Sequence, residues 1–141
     1  MSDSYGPAIG IEDAKKAAAA ALAEAARNGW RMAAAVTDPG GHLVYFERMD
    51  GTQAGSVQVS IGKSRSAALF RRPTKAFQDM LAAGGEGLRV FALEGAVPVD
   101  GGVPLSVGGQ VVGAIGLSGG TSAQDGQCAR AGAEALGHGA A

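Results

Sequence analysis

The stretch WRMAAAVTDPGGHLVYFER, residues 30–48, sets two apolar runs on either side of Asp38-Pro39-Gly40-Gly41. Proline and glycine at such a junction favour a tight turn, and short apolar runs flanking a turn are typical of strands. The stretch therefore predicts a β-hairpin with strands over 30–38 and 42–48. Because the turn is short, the two strands must run antiparallel.

Outside this hairpin, the pattern predicts helices and a second group of strands. Apolar residues at three- and four-residue steps predict a helix over 10–28, and length favours a helix over 53–70, where a strand-like alternation is also present. The other predicted elements are a short helix over 73–81, a strand-turn-strand over 97–107, a turn at Gly108-Gly109, a strand over 110–118 and a helix over 122–136. This order indicates an α/β (α+β) fold with a mainly antiparallel sheet.

Length and composition indicate one globular domain. The chain has 141 residues, of which 46% are apolar and 18% charged, so we expect a single domain over 10–137 between a flexible N-terminus, 1–9, and a flexible tail, 138–141. A net charge of −1 without a basic run argues against nucleic acid or a membrane as the main partner. The single cysteine, Cys128, excludes an intramolecular disulfide, and no secretory signal is evident, so a cytoplasmic location is expected.

Gly119-Gly120-Thr121 is the sharpest local motif. Thr121 and Gln124 have the spacing of a capping box, and two glycines before a helix start can present free backbone N–H groups. Such a place suits a carboxylate or phosphate. The alternative is that the motif does no more than begin a well-capped helix.

Lys63 and Arg65 form the second candidate site. If 53–70 is helical, Lys63 shares a stripe with Phe70, and it lies either at the rim of a pocket or extended to solvent. Arg65 belongs to the same cationic segment, which could receive an anionic ligand. Glu47 and Asp50 could do general acid–base work, although such residues more often solvate a strand end.

Ligands for a metal are sparse in the sequence. Two histidines and one cysteine offer no spacing for zinc. His42 is the candidate axial ligand for a haem iron, with Cys128, Tyr45 and Met49 as further options, and there is no Cys-x-x-Cys-His attachment motif.

Four blocks of sequence, taken together, resemble the GlcG/HbpS family, which includes the C-terminal domain of PduO-type proteins. The blocks are VTDPGGHLVYFERMDG at 36–51, IGKSRSAA at 61–68, GGVP at 101–104 and GGQVVGAIGLSGGTSAQD at 108–125. The resemblance covers residues 10–137. It implies a profilin-like fold with an antiparallel sheet of about five strands flanked by helices, a dimer or larger homo-oligomer, and haem binding in some members.

Three functions are therefore open. The first is a small-ligand-binding protein, with haem or another anionic apolar molecule held by Lys63, Arg65, Phe70 and the amides of Gly119–Thr121. The second is an enzyme without metal or nucleotide that transfers protons on a small organic acid, using Lys63 with Glu47 or Asp50. The third is a structural or regulatory subunit of an oligomer.

Overall fold

A computed structural model describes residues 4–137 of the chain. Four α-helices are α1 (Ile11–Arg27), α2 (Ser56–Phe70), α3 (Thr74–Ala82) and α4 (Ser122–Glu134). Four strands are β1 (Ala33–Thr37), β2 (Leu43–Arg48), β3 (Gly102–Val107) and β4 (Gln110–Ser118), and a 3₁₀ segment covers Gly85–Ala92. No helix among these residues has the length and apolar character needed to cross a bilayer.

The sheet is antiparallel throughout, in the order β2-β1-β4-β3. Its two hairpins, β1–β2 and β3–β4, join along β1 and β4, where Ala33 pairs with Ser118. Both hairpins and all four predicted helices are confirmed, and the mixed α/β class with helices flanking an antiparallel sheet is confirmed with them.

Within the described residues the sheet has four strands, where about five were expected. Of the strand, turn and strand predicted over 97–107, the first strand is not formed. The backbone there is irregular because side chains accept its N–H groups: Val97 N–H donates to Ser66 Oγ (3.1 Å) and Asp100 N–H to Gln78 Oε1 (2.7 Å). Pro98 between them has no N–H to offer a neighbouring strand.

The sheet is covered on both faces. α1 and α4 pack together on one face, where alanines of α1 meet Ile115 and Leu117 of β4 in the main core. α2 covers the other face and approaches so closely that the Ser64 hydroxyl donates to the Ala114 carbonyl (2.9 Å). Small residues make this approach feasible, because the buried face of α2 is serine and alanine apart from Lys63.

The N-terminal segment before α1 is held along β4. Gly6 N–H donates to Val111 O, Ile9 N–H donates to Val112 O, and the Tyr5 hydroxyl donates to the Ala68 carbonyl (2.8 Å). Residues 4–9, which the sequence suggested as part of a flexible N-terminus, are thus tied to the sheet and to α2. Residues 1–3 and the predicted tail at 138–141 lie outside the described part of the chain.

Candidate functional site

Lys63 is the largest fully buried side chain in the described residues, with 1% of its surface exposed. It extends from α2 to the end of β4, where Nζ donates to Asp125 Oδ2 (2.8 Å) and to the Leu117 carbonyl (3.0 Å). The amine therefore neither reaches solvent nor lies at a pocket rim. It forms a buried ion pair between α2 and the first turn of α4.

Burial has the largest effect on the pKa of Asp125, the acidic member of this ion pair. It raises the pKa of the Asp125 carboxyl, and this effect outweighs the opposing influence of the Lys63 ammonium and of the Gly120 amide. Asp100, a second buried acid, adds to the upward shift by charge repulsion. Lys63 and Asp125 thus form a desolvated pair in which each buried charge is stabilised by the other.

Two of the three amides of Gly119–Thr121, predicted to bind an anion, donate to side chains of the same chain. Gly120 N–H donates to Asp125 Oδ1 (2.9 Å), and Thr121 N–H donates to Gln124 Oε1 (3.0 Å). The capping box is complete, since Gln124 N–H donates to Thr121 Oγ1 (3.2 Å). The anion at this helix start is the side chain of Asp125 itself.

Gly119 has a steric role at the same turn. Its φ is 151°, and a Cβ there would lie 2.1 Å from the Arg31 carbonyl oxygen. Glycine therefore lets the chain leave β4 directly against the residues that precede β1.

Asp100 links the buried cluster to the surface of α4. Its side chain packs against Gly126, where a Cβ would lie 2.4 Å from Asp100 Oδ2. The same oxygen lies 3.9 Å from a guanidinium nitrogen of Arg130, and Oδ1 has no hydrogen-bond partner among the described residues. Arg130 is half-exposed. Its guanidinium therefore lies near the buried Asp100 carboxylate and is still accessible to solvent and ligands.

Arg130 lines a cleft of about 520 Å³ between α3, β3 and α4. The walls are mostly apolar, with Pro73, Ala76, Val103 and Ala133 beside charged groups of both signs, Lys75, Asp79, Arg130 and Glu134. Lys75 Nζ and Asp79 Oδ1 are already paired at 2.9 Å. The volume is that of a small-molecule site, and the combination of apolar walls with a few charged groups is typical of such sites.

The remaining predicted binding residues lie apart from this cleft. Arg65 is exposed on α2, with its stem against Gly41. Phe70 makes an edge-to-face contact with Phe77 (centroids 5.3 Å apart), so it packs α2 against α3. Lys63, Arg65 and Phe70 therefore share a helix, and none of the three lines the α3–β3–α4 cleft.

The acids proposed for an enzyme are not brought to Lys63. Glu47 is exposed on the edge strand β2, where its carboxylate accepts a hydrogen bond from the Tyr45 hydroxyl (2.6 Å). Asp50 is exposed beyond the end of β2. The acid that contacts Lys63 is Asp125, to which the sequence assigned no role.

The four candidate iron ligands differ in their availability. His42 has 83% of its side chain exposed and lies 3.4 Å from Asp38 in the hairpin turn. The hydrogen bond to Glu47 raises the pKa of the Tyr45 hydroxyl, which disfavours a phenolate ligand, and the Met49 sulphur accepts the Met32 N–H (3.4 Å). Burial raises the pKa of the Cys128 thiol to about 12, so it stays protonated at neutral pH.

The shift at Cys128 predicts a pH dependence of stability. Above pH 9.0 the thiol ionises in the unfolded chain but stays protonated in the folded chain until about pH 12. Stability is therefore lost as the pH rises through this window, by up to about 1.4 kcal/mol per pH unit. Urea unfolding of the wild type and of Cys128→Ala should show a steeper alkaline decline in the wild type. Parallel declines would contradict the prediction.

Sequence reasoning did not find Asp125, Asp100 or Arg130 as site residues. Asp125 follows the capping box directly, but nothing in the spacing indicates that it meets Lys63 on a distant helix. A lysine on an otherwise small, buried helical face was the one available signal, since such a charge needs a partner.

Comparisons with known proteins agree with this architecture. A family model described as "Haem degrading protein HbpS-like" matches residues 9–134. Protein GlcG of Escherichia coli (strain K12) is 42% identical over 100 residues, which cover 71% of this chain and 73% of GlcG.

Solved structures show the same fold. A crystal structure of a double mutant of Streptomyces reticuli HbpS matches with a TM-score of 0.86 and 31% identity, covering 96% of this chain and 91% of that one. A structure described as a PduOC:Heme complex matches with a TM-score of 0.82 over 92% of this chain and 96% of that one, and at 23% identity it supports the fold alone. With a family model spanning nearly all of its length, the chain belongs to the HbpS-like family.

Proposed function

We propose that this protein binds a small amphipathic molecule bearing carboxylate groups in the α3–β3–α4 cleft, and that haem is the first ligand to test. The observation that carries the proposal is Arg130, a half-exposed cation that lies beside buried Asp100 at the wall of a largely apolar cleft. A guanidinium in such a place binds carboxylates through charge-assisted hydrogen bonds. The description of the family supports haem as the choice of probe.

The cleft suits the organic part of haem better than its iron. Val103, Ala76 and Ala133 offer apolar contact to a ring system, and Arg130 and Lys75 offer cations to its propionates. Among the described residues that line the cleft there is no histidine, cysteine, methionine or tyrosine. We therefore expect binding to depend on the carboxylates and the ring, with no iron ligand from the cleft of the same chain.

The test is a parallel titration with haemin, followed by its Soret band, and with metal-free protoporphyrin IX, followed by fluorescence. Both should bind saturably at micromolar concentration. Arg130→Gln should weaken both by about tenfold, because it removes a charged hydrogen-bond donor. Arg65→Gln is the matched control, since Arg65 is also exposed but lies on α2, away from the cleft, and it should leave both affinities unchanged.

Three outcomes would count against this function or this site. Saturable binding of neither compound would reject the proposed ligand class. Weakening by Arg65→Gln and not by Arg130→Gln would place the ligand on α2. Binding of haemin alone, abolished by His42→Ala, would show that the iron is held at the exposed hairpin turn instead of the cleft.

The location of the protein remains a prediction. The single thiol of the described residues, Cys128, is buried and free, which favours the cytoplasm, where thiols stay reduced.

A further inference from the structure

Two acids and one lysine are buried together next to Arg130 of the cleft. Lys63, Asp100 and Asp125 expose only 1%, 4% and 3% of their surface. They are neighbours, because a Cβ on Gly101, the residue after Asp100, would lie 2.7 Å from Lys63 Nζ and 2.9 Å from Asp125 Cβ. We name these three residues the charge cluster. When all three are ionised, the cluster carries one negative charge that it does not balance itself.

Arg130 is the cation that balances this charge. Among the described residues it is the one cation within ion-pair distance of Asp100, at 3.9 Å, and Lys63 is already paired with Asp125. α3 presents the neutral Gln78, whose Oε1 accepts the Asp100 N–H (2.7 Å). The remaining charged side chains of the four helices are at least partly exposed, among them Glu24 of α1, Arg65 of α2, Lys75 and Asp79 of α3, and Glu134 of α4.

An anion bound at Arg130 would disturb this balance. The guanidinium would then be shared between the ligand and Asp100, and the buried acids would face a further negative charge close by. One proton on the two acids removes the excess charge. Asp100 Oδ1 is buried without a hydrogen-bond partner among the described residues, so it is free to hold a proton. Burial, and to a smaller extent the charge of Asp100, raise the pKa of Asp125, which favours uptake by the pair.

We propose that binding of an anion at Arg130 is coupled to uptake of one proton by the Asp100–Asp125 pair, so that the cleft binds its ligand more tightly as the pH falls. The inference rests on the proposed function, since it takes the α3–β3–α4 cleft as the ligand site and adds the regulation of that site. Such coupling is reciprocal: a ligand that raises proton affinity is itself bound more tightly by the protonated protein. Asp100 acts through Arg130 and does not touch the ligand.

The probe for the test is anilinonaphthalene sulfonate, an apolar anion that fluoresces when bound and whose sulfonate does not titrate. Its dissociation constant should fall at least about fivefold between about pH 8 and about pH 5 in the wild type, and by no more than about tenfold per pH unit, the limit for one proton. Asp100→Asn should bind more tightly than the wild type at the higher pH and lose most of the pH dependence. The amide carries no charge, so the cluster is already balanced.

Asp79→Asn is the matched control. Asp79 also lines the cleft, but it is exposed and paired with Lys75, so this variant should keep the pH dependence of the wild type. The two histidines of the chain titrate in the same range, so the decisive comparison is that between Asp100→Asn and Asp79→Asn. Circular dichroism checks that both variants are folded.

Calorimetry counts the proton in the wild type without any substitution. The heat of probe binding is measured in phosphate and in Tris, whose ionisation enthalpies differ, and the difference gives the number of protons taken up. Proton uptake is expected, and none at any pH in the range would overturn the coupling.

The outcomes separate this inference from the proposed function. Binding that is lost in Arg130→Gln but does not change with pH would overturn the coupling and leave the site in place. A pH dependence that persists in Asp100→Asn, or that disappears equally in Asp79→Asn, would assign the proton to other groups and would also overturn the coupling. Binding that is unaffected by Arg130→Gln would reject the site itself, and the coupling with it.

Discussion

Replacing Lys63 by methionine is expected to destabilise the protein by about 3–5 kcal/mol, because it leaves the Asp125 carboxylate buried without its counter-ion. Methionine keeps most of the apolar stem, so the loss reports chiefly the ammonium. Urea unfolding measures it directly. Lys75→Met is the matched control: Lys75 and Asp79 form an exposed pair, and its loss should cost less than about 1 kcal/mol.

A second substitution, at Asp125, tests whether the unpaired carboxylate causes the loss of stability. Once Lys63 is methionine, Asp125→Asn removes the unpaired charge while the amide oxygen can still accept the Gly120 N–H. The double variant should regain a large part of the lost stability. The deficit of Lys63→Met should also shrink as the pH falls and the Asp125 carboxyl, whose pKa is raised by burial, takes up a proton. A single variant as stable as the wild type would contradict the role assigned to the pair.

Replacing Gly116 by alanine is expected to cost about 3 kcal/mol, because the new methyl group has no space between β4 and α2. A Cβ at Gly116 would lie 2.2 Å from the Ser60 carbonyl oxygen and 2.5 Å from the Ser64 nitrogen, both backbone atoms of α2. The helix would have to move away from the sheet, which would also disturb the Ser64 hydrogen bond to Ala114.

Gly55→Ala provides the control for this substitution. Gly55 precedes α2 with φ −61° and ψ −25°, which alanine adopts without strain, and nothing lies within 4 Å of the added methyl group. It should be neutral or stabilise by up to about 1 kcal/mol through the unfolded chain. Thermal unfolding of the two variants side by side separates steric cost from glycine propensity. Equal stabilities would show that α2 can retreat from β4 without penalty.

The elements of this fold could be predicted from the sequence because their signals are local. Turn chemistry at Asp38–Gly41 fixed the first hairpin, and the Thr121–Gln124 spacing identified the start of α4. The segment at 97–101 was missed because its N–H groups find side-chain partners on α2 and α3, and no local pattern reveals partners that far along the chain.

The site was harder to predict for the same reason. Lys63 was identified as the unusual charge on α2, and Gly119–Thr121 as a place suited to an anion. No pattern in the sequence indicates that Asp125 accepts hydrogen bonds from both Lys63 and the Gly120 amide. The anion expected from outside the protein is therefore the carboxylate of Asp125 itself. The cleft beside Arg130 depends on how α3, β3 and α4 pack, which no single segment encodes.

The pairing of β1 with β4 has a consequence for how the chain folds as it is made. The β1–β2 hairpin can form early, but the inner edge of β1 pairs with residues 114–118, near the end of the sequence. Until those residues emerge from the ribosome, Ala33–Thr37 offers an unpaired apolar edge to other nascent chains. Closure of the sheet is therefore a non-local event, which favours slow folding and leaves the nascent chain open to aggregation until residues 114–118 can pair with β1.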